Sequence, residues 1–451
     1  MTEQGVRWTA DQVLSLAPDA ASRKAGGKLG TAGPWSGAGS GEGAVWGLCK
    51  GSGSKPYQTV VDLAGGAGPA CKCSCPSRKF PCKHALGLLL LWAGGDGSVP
   101  EPEQPPDWAE QWLGGRRRRA ESEQAPASAD TASGGADPEA ARRRAERRAE
   151  RVTAGATELE QRLADLLRGG LAGAEQAGYG LWDETAARMV DAQASGLAAR
   201  VRELGAIPAS GPGWPARLLE ECALLHLLDQ GWLRRADLPE ALVVTVRSRL
   251  GLSATPESPP VRDRWLVLAQ YDTADPKLTT RRIWVHGAES GGTRLLLSYG
   301  AAGRAPELAL PVGLALDAEL SAHPGAAQFR SALGERFAPP APADFRPPGV
   351  TTAEAAARYG DALRDDPWLE SVPVTLGRVT PVPDGDGWQL ADADADSALP
   401  LSRAARSRPG LWRLVAVSGG APVTVFGEHG HRGFTPLTAW PVAPGEAVPL
   451  C

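Results

Sequence analysis

Residues 71–84 hold the feature that most constrains the fold, a group of cysteines followed by one histidine. Three cysteines and the histidine stand in the order C-x-C, six residues, C-x-H, at Cys73, Cys75, Cys82 and His84. Thiolate sulphur and imidazole nitrogen are the donors that structural zinc sites use, and four of them complete a tetrahedral shell. The pattern therefore predicts a small module folded around one structural zinc ion.

The spacing indicates how these four residues reach one ion. Side chains two positions apart in an extended segment point the same way, so Cys73 and Cys75 can approach a common ion. In a helix, two positions apart means nearly opposite faces, so Cys82 and His84 cannot both lie in the middle of a helix. We expect Cys82 at a helix N-terminus, where the helix dipole favours a thiolate, and His84 in the first turn.

Cys71 leaves one alternative open. Cys71 and Cys73 form a second C-x-C pair, so Cys71 could replace Cys75 as a ligand. We prefer Cys75, because the Pro-Ser pair that follows it is typical of a turn and would send the chain back towards Cys82.

Composition limits the remaining classes of protein. The 451 residues are 42% hydrophobic and 22% charged, which excludes a fully disordered or fibrous chain. No apolar segment approaches the roughly 20 residues that cross a bilayer, so we expect no membrane span. A tight cysteine cluster is typical of metal binding in a reducing compartment, which predicts a cytoplasmic protein. Much Ala, Gly, Pro and Arg with only eight Lys suggests a bacterial source.

The net charge of −4 excludes a positive field over the whole protein, so nucleic-acid binding would need a local patch. Residues 1–95 supply one, with ten Lys and Arg against five Asp and Glu. Lys72, Arg78, Lys79 and Lys83 surround the cysteines, with Phe80 among them. Basic groups beside an exposed aromatic ring suit phosphate contact and base stacking. The alternative is that these cations only offset the negative zinc–thiolate centre.

The pattern along the chain predicts a multidomain α+β protein. We expect an α+β zinc module over residues 1–95, with a glycine-rich loop at 33–43, and a Pro/Ser/Ala-rich linker over 96–136. That linker contains one short helix candidate, which begins at Asp107. Apolar residues at helical spacing predict a helical region over 137–255. Short β-prone runs, one of them at 411–417, predict a β-rich region over 262–451, with a candidate division near 340–350.

The cysteine segment resembles the SWIM-type zinc finger. The match lies in the Cys-Pro-Ser sequence that begins at Cys75, the Pro-Cys-Lys-His sequence that ends at His84, and the Ala-Leu-Gly-Leu-Leu-Leu run behind it. Residues 182–193 are similar to the long bacterial proteins of that family. The resemblance implies one zinc held by Cys73, Cys75, Cys82 and His84. It also implies a module that binds DNA or a protein and is not itself catalytic, in a complex with other proteins.

We therefore predict non-enzymatic recognition of DNA or of a protein partner. No Ser/His/Asp, Cys/His or paired-carboxylate set is supported by sequence spacing alone. The alternative is an enzyme with an active site in residues 262–451 and the finger as its targeting arm. A concave pocket lined by convergent His, Asp or Arg in that region would favour the enzyme.

Overall fold

The computed structural model describes residues 8–18, 20–51, 55–63, 69–77, 79–101, 104–124, 138–252, 258–274, 278–301, 306, 308–325, 329–441 and 446–451. These residues form an N-terminal α+β unit, a helical middle region and a β-rich C-terminal region. The predicted fold class is thereby confirmed. No helix of these ranges is long and apolar enough to cross a membrane.

The N-terminal unit is an antiparallel meander in which the described strands pair in chain order. The elements are α1 (Ala10–Ser15), α2 (Ala20–Gly27), β1 (Trp35–Gly41), β2 (Ala44–Cys49), β3 (Tyr57–Asp62), β4 (Ala70–Cys73) and α3 (Lys83–Ala93). Helix α3 packs on one face of this sheet, where its apolar side chains meet Val45 and Val61, and helices α1 and α2 pack against α3. The glycine-rich loop expected at residues 33–43 is wrong for most of its length, because strand β1 forms there and pairs with β2.

The other face of this sheet is covered by helix α4 (Asp107–Gln124). Neighbouring strand residues point to opposite faces, so Trp46 and Val60 turn away from the first three helices. They pack instead against Ala109 and Leu113 of α4. The linker expected over residues 96–136 is therefore wrong for residues 107–124. These residues form α4, which packs as part of the N-terminal unit. Residues 102–103 and 125–136 of that linker lie outside the described residues.

Within residues 138–252, five α-helices bury one shared core. They are α5 (Pro138–Gly169), α6 (Ala172–Asp191), α7 (Ser195–Leu204), α8 (Trp214–Leu233) and α9 (Glu240–Arg249), with a 3-10 turn at Arg235–Asp237 between the last two. The largest buried side chains include Trp182, Met189 and Trp232. Trp368 enters the same core from the C-terminal region.

The C-terminal region begins with a curled sheet. Its described strands are β5 (Val261–Ala274), β6 (Leu278–Gly287), β7 (Thr293–Ala301), β8 (Leu314–Ala322), β9 (Ser331–Arg336) and β10 (Ala341–Pro342). Strand β9 pairs with β8, while Arg330 just before it bridges to Leu295 of β7, so the sheet curls round its own apolar interior. That interior contains Trp265, Val285 and Leu316.

A second sheet with three helices on one face completes the chain. Its described elements are α10 (Thr352–Asp365), β11 (Ser371–Asp384), β12 (Gly387–Asp392), β13 (Ala398–Pro400), α11 (Arg403–Arg406), α12 (Gly410–Ser418), β14 (Val423–Gly430), β15 (Gly433–Trp440) and β16 (Val448–Pro449). Its other face meets the curled sheet through Phe426, Leu437 and Trp440, which pack on Leu266 and Trp284.

The strand expected from the β-prone run at residues 411–417 is wrong, because these residues form helix α12. Leu411 and Leu414 are buried at helical spacing. Gly419 then ends the helix with φ 53°, a left-handed conformation that glycine adopts without steric cost. A short apolar run is compatible with either a strand or a helix, and here the packing on the second sheet decides for the helix.

The N-terminal unit is fastened to the curled sheet. The core that α3 shares with the first sheet continues into Ala309 and Leu314 of the C-terminal region. The Trp8 indole N–H donates to the Pro340 carbonyl oxygen over 3.3 Å, and its ring packs edge-on against Trp92 with centroids 6.4 Å apart. The N-terminal unit and the curled sheet therefore share one apolar core.

Candidate metal centre

Strand β4 and helix α3 bring the four predicted zinc ligands together. Cys73 is the last residue of β4, Cys75 follows two positions later, Cys82 is the N-cap of α3, and His84 lies in its first turn. Their ligand atoms all lie within 4.8 Å of one another. Three thiol sulphurs and an imidazole nitrogen at this separation fit a zinc ion.

The local packing explains why the chain holds the donors in place. In the sheet, Cys73 pairs with Thr59 of β3, and the Thr59 hydroxyl lies 3.2 Å from the Cys73 sulphur. Helix α3 buries Leu86 and Leu89 against the sheet, which presses its N-terminus onto the end of β4. The His84 ring is buried and lies against Tyr57, with ring centroids 4.8 Å apart.

The cluster concentrates negative charge on one sulphur. Hydrogen bonding from the Cys82 thiol lowers the pKa of Cys73 to about 3, although burial opposes the shift, and His84 and Thr59 add to it. The same contact with Cys73 raises the pKa of Cys82, and burial raises it further. Zinc binding replaces these shared protons, because a metal-bound cysteine is a thiolate. The centre is therefore prepared for a cation.

The sulphur of Cys71 is not among the atoms that come together. Cys71 pairs with Val61 in the sheet and joins the apolar core beneath α3. Burial raises the pKa of its thiol to about 12, and the nearby Cys73 adds to that rise. Cys71 is therefore a neutral core thiol beside the centre.

A groove of about 580 Å³ runs beside the metal centre. Lys79 and Lys83 line it, together with Lys50 and Tyr57. Across from them, the helix α2 residues Ala21, Ser22 and Ala25 form the other wall. Two of the predicted nucleic-acid contacts are thus side by side on one concave surface.

The other predicted contacts lie elsewhere. Lys72 is exposed and pairs with Val60, so it points to the α4 side of the sheet, away from Cys71 and Cys73. Phe80 is 37% exposed and does not line the groove. Arg78 lies outside the described residues.

Sequence reasoning missed Lys50 and Tyr57 as members of this surface. Lys50 follows strand β2 and Tyr57 opens β3, and Cys49 pairs with Tyr57 across the hairpin. Since the hairpin was predicted, its turn could have been placed beside the cysteines. The strand register needed for that was not evident from the sequence.

Two family matches agree with this architecture. Residues 57–93 match the SWIM zinc finger, which spans β3, β4 and α3 with the four ligands. Residues 147–250 match the SWIM-associated four-helix bundle domain, which falls on helices α5 to α9. No curated protein and no solved structure matches the chain. The zinc-ligand geometry and the two matches, over residues 57–93 and 147–250, together support a SWIM-type zinc finger family protein.

Proposed function

We propose that the finger recognises DNA, without catalysis, through the groove beside its zinc centre. The observation that carries this proposal is the charge of the groove lining. Lys50, Lys79 and Lys83 contribute three ammonium groups, and none of the described residues that line the groove is acidic. A concave surface of one sign attracts a ligand of the opposite sign, and phosphates are the ligand that DNA presents.

The alternative role for these lysines is to balance the metal centre. A zinc ion with three thiolates and a neutral imidazole carries a net charge of −1. One lysine would be enough to offset that charge, whereas three line the groove. The surplus supports a role in binding an anionic partner.

The test is a titration of the full zinc-loaded chain against duplex and single-stranded DNA at low salt. Lys79→Gln with Lys83→Gln should weaken binding evenly across sequences, since phosphate contacts carry no sequence information. On duplex DNA this pair should reduce the slope of log affinity against log salt by about 1.8, which is two phosphate contacts. Zinc content should stay unchanged, because neither lysine is a ligand.

Lys24→Gln with Lys28→Gln is the matched control. Both lysines belong to the same N-terminal unit, are exposed and do not line the groove. The control pair makes the same change in net charge. Equal loss from both pairs would contradict a defined groove, and no binding of any DNA in the millimolar range would leave a protein partner as the function of the finger.

A cavity of about 870 Å³ between the bundle and the second sheet bears on the enzyme alternative. His431, Glu428 and Arg432 line it, which is the kind of residue set that a catalytic pocket needs. The described contacts pair several of these groups with one another. Arg432 binds Glu221 at 3.1 Å, and Glu428 accepts hydrogen bonds from Tyr271 and Trp284, each at 2.9 Å. Such contacts favour a domain junction, which supports recognition over catalysis.

A further inference from the structure

Helix α12 presents a tryptophan to solvent on the second sheet. Trp412 is 65% exposed, while its neighbours Leu411 and Leu414 anchor the helix in the core. The Trp412 ring meets the ring of Trp388 from strand β12 edge-on, with centroids 5.8 Å apart and an interplanar angle of 80°. The pair therefore offers an open indole face held at a fixed angle by a second indole.

Three arginines lie close to Trp412 along the chain. Arg406, Arg408 and Arg413 are exposed on and around helices α11 and α12. Residues 397–427 contain no Asp or Glu, so the segment carries only positive side-chain charge. Asp396 and Glu428 flank this segment directly, and Asp384 and Asp386 lie in the turn between β11 and β12.

The contacts of these arginines leave their charge available. The Arg406 guanidinium donates to the main-chain oxygen of Asp386 at 3.4 Å, and that of Arg413 donates to the main-chain oxygen of Pro449 at 2.7 Å. Neither these two nor Arg408 forms a salt bridge within the ranges that the structure describes. A main-chain oxygen orients a guanidinium without neutralising it, and each guanidinium keeps further N–H donors for an anion.

Arg406 is also placed beside the strand that carries Trp388. Arg406 contacts the turn that leads into Trp388, since a Cβ built on Gly387 would lie 3.1 Å from the Arg406 Nη1 atom. Arg408 precedes Trp412 by four positions, and the Leu411 N–H donates to the Arg408 carbonyl oxygen as in a helical turn. Arg408 therefore lies in the turn that leads into α12, one turn before Trp412.

We propose that Trp388, Trp412, Arg406, Arg408 and Arg413, here called the Trp–Arg surface, bind single-stranded nucleic acid. An unpaired base stacks on the open face of Trp412, and the arginines hold the flanking phosphates. Aromatic rings accept every base because each base has a π-face, so the surface selects single strands over duplexes and not one sequence. The Trp–Arg surface belongs to the second sheet and does not rest on the function proposed for the finger.

The test uses the full zinc-loaded chain and a fluorescent oligo-dT strand, with affinity measured by anisotropy at several salt concentrations. Trp412→Ala should weaken binding roughly 5- to 150-fold, the range expected for loss of one stacked base. Leu219→Ala removes a side chain that is 48% exposed on the bundle and should leave affinity unchanged. The same oligonucleotide in a duplex should bind without sensitivity to Trp412.

A second pair of variants tests the charges. Arg408→Gln with Arg413→Gln should reduce the single-strand salt slope by about 1.4, at about 0.7 for each phosphate contact. Arg234→Gln with Arg247→Gln makes the same change at exposed positions of the bundle and should not alter the slope. Loss of affinity in the arginine pair without any effect of Trp412→Ala would overturn the proposal, because it would leave only a nonspecific cationic patch.

The finger variants separate this proposal from the previous one. In the Lys79→Gln, Lys83→Gln background, single-strand binding that remains should still fall when Trp412 is replaced. If that background abolishes all binding, the Trp–Arg surface is refuted while the finger proposal stands. If it leaves both duplex and single-strand binding intact, and the single-strand binding is sensitive to Trp412, the finger proposal loses its support and the Trp–Arg surface is confirmed. A protein captured through Trp412 in the absence of single-strand binding would also refute it.

Discussion

The indole N–H of Trp368 donates a hydrogen bond to the main-chain oxygen of Leu224 over 2.9 Å, although 144 residues separate the two. Trp368 lies just before strand β11, yet its ring is buried in the core of the helical bundle. The ion pair of Arg249 with Asp366 lies beside it and joins the same two regions. The inserted ring and this charge pair therefore help to fasten the bundle to the β-rich region, together with the ion pair of Arg432 with Glu221.

Trp368→Ala should lower the free energy of unfolding by about 3–5 kcal/mol, because it empties a buried site and removes a hydrogen bond. Trp412→Ala is the control, since a residue that is 65% exposed should change stability by no more than about 0.5 kcal/mol. Urea denaturation measures both. Equal effects of the two substitutions would show that Trp368 does not fasten the regions.

The purified chain should carry one zinc ion, and Cys82→Ser should lose both the metal and the fold of the N-terminal unit. Cys82 caps α3, so its loss removes a ligand at the point where that helix meets the sheet. Cys71→Ser should keep the metal, because the Cys71 sulphur is outside the ligand group. Metal analysis and circular dichroism measure these outcomes. Retention of zinc in Cys75→Ser with loss in Cys71→Ser would reverse the ligand assignment.

Asp229 should make the bundle less stable as pH rises. Its carboxyl is fully buried, and burial raises its pKa to about 9, with the nearby charge of Glu160 adding to the rise. Between about pH 4 and pH 9 the folded state holds a proton that the unfolded state has lost, so stability falls as pH increases through this range. The slope should reach about 1.4 kcal/mol per pH unit.

Asp229→Asn removes this titration and keeps the side-chain shape. The variant should be more stable than the parent at pH 8, and its unfolding free energy should lose the Asp229 contribution to the pH slope. Glu160 accepts hydrogen bonds from His226 and Gln230, so it keeps its partners in the variant. An identical pH dependence of the two proteins in denaturant titrations would contradict the buried, protonated state of Asp229.

Helix α4 should be required for a stable finger. A fragment that ends at residue 95 lacks Ala109 and Leu113 and exposes Trp46 and Val60, whereas a fragment that ends at residue 124 keeps this contact. Each exposed large side chain costs about 1.5–3 kcal/mol of burial energy. Thermal unfolding of the two zinc-loaded fragments should therefore show a lower midpoint for the shorter one. Equal unfolding midpoints of the two fragments would instead support residue 95 as the end of the N-terminal unit.

Phe80→Ala should weaken single-strand binding by the finger more than duplex binding. Phe80 is 37% exposed beside Lys79, and a stacked base on such a ring contributes about 1–3 kcal/mol. Bases in a duplex are already stacked, so they gain nothing from the ring. The comparison needs the two DNA forms titrated at one salt concentration, and an equal loss on both would exclude stacking on Phe80.

The sequence predicted the zinc ligands better than their surroundings. The positions of Cys82 and His84 at the start of a helix followed from local geometry, since two residues apart in a helix cannot share a face. The contact of Leu113 with Trp46 joins segments that are distant along the chain, and no local pattern reveals it. The place of Lys50 in the groove could not be predicted for the same reason, because it depends on strand register. Residues 411–417 formed a helix where we expected a strand, since a short apolar run does not distinguish them.

The contact between Trp8 and the curled sheet affects how the N-terminal unit can be separated from the rest of the protein. The Trp8 indole is bonded to Pro340, and the finger core continues into Leu314, so the N-terminal unit closes its apolar surface only in the presence of the curled sheet. A protease site engineered into residues 125–137 should therefore yield two pieces that elute together, and denaturant would be needed to part them. Cleavage of the chain and release of the finger are thus separate events.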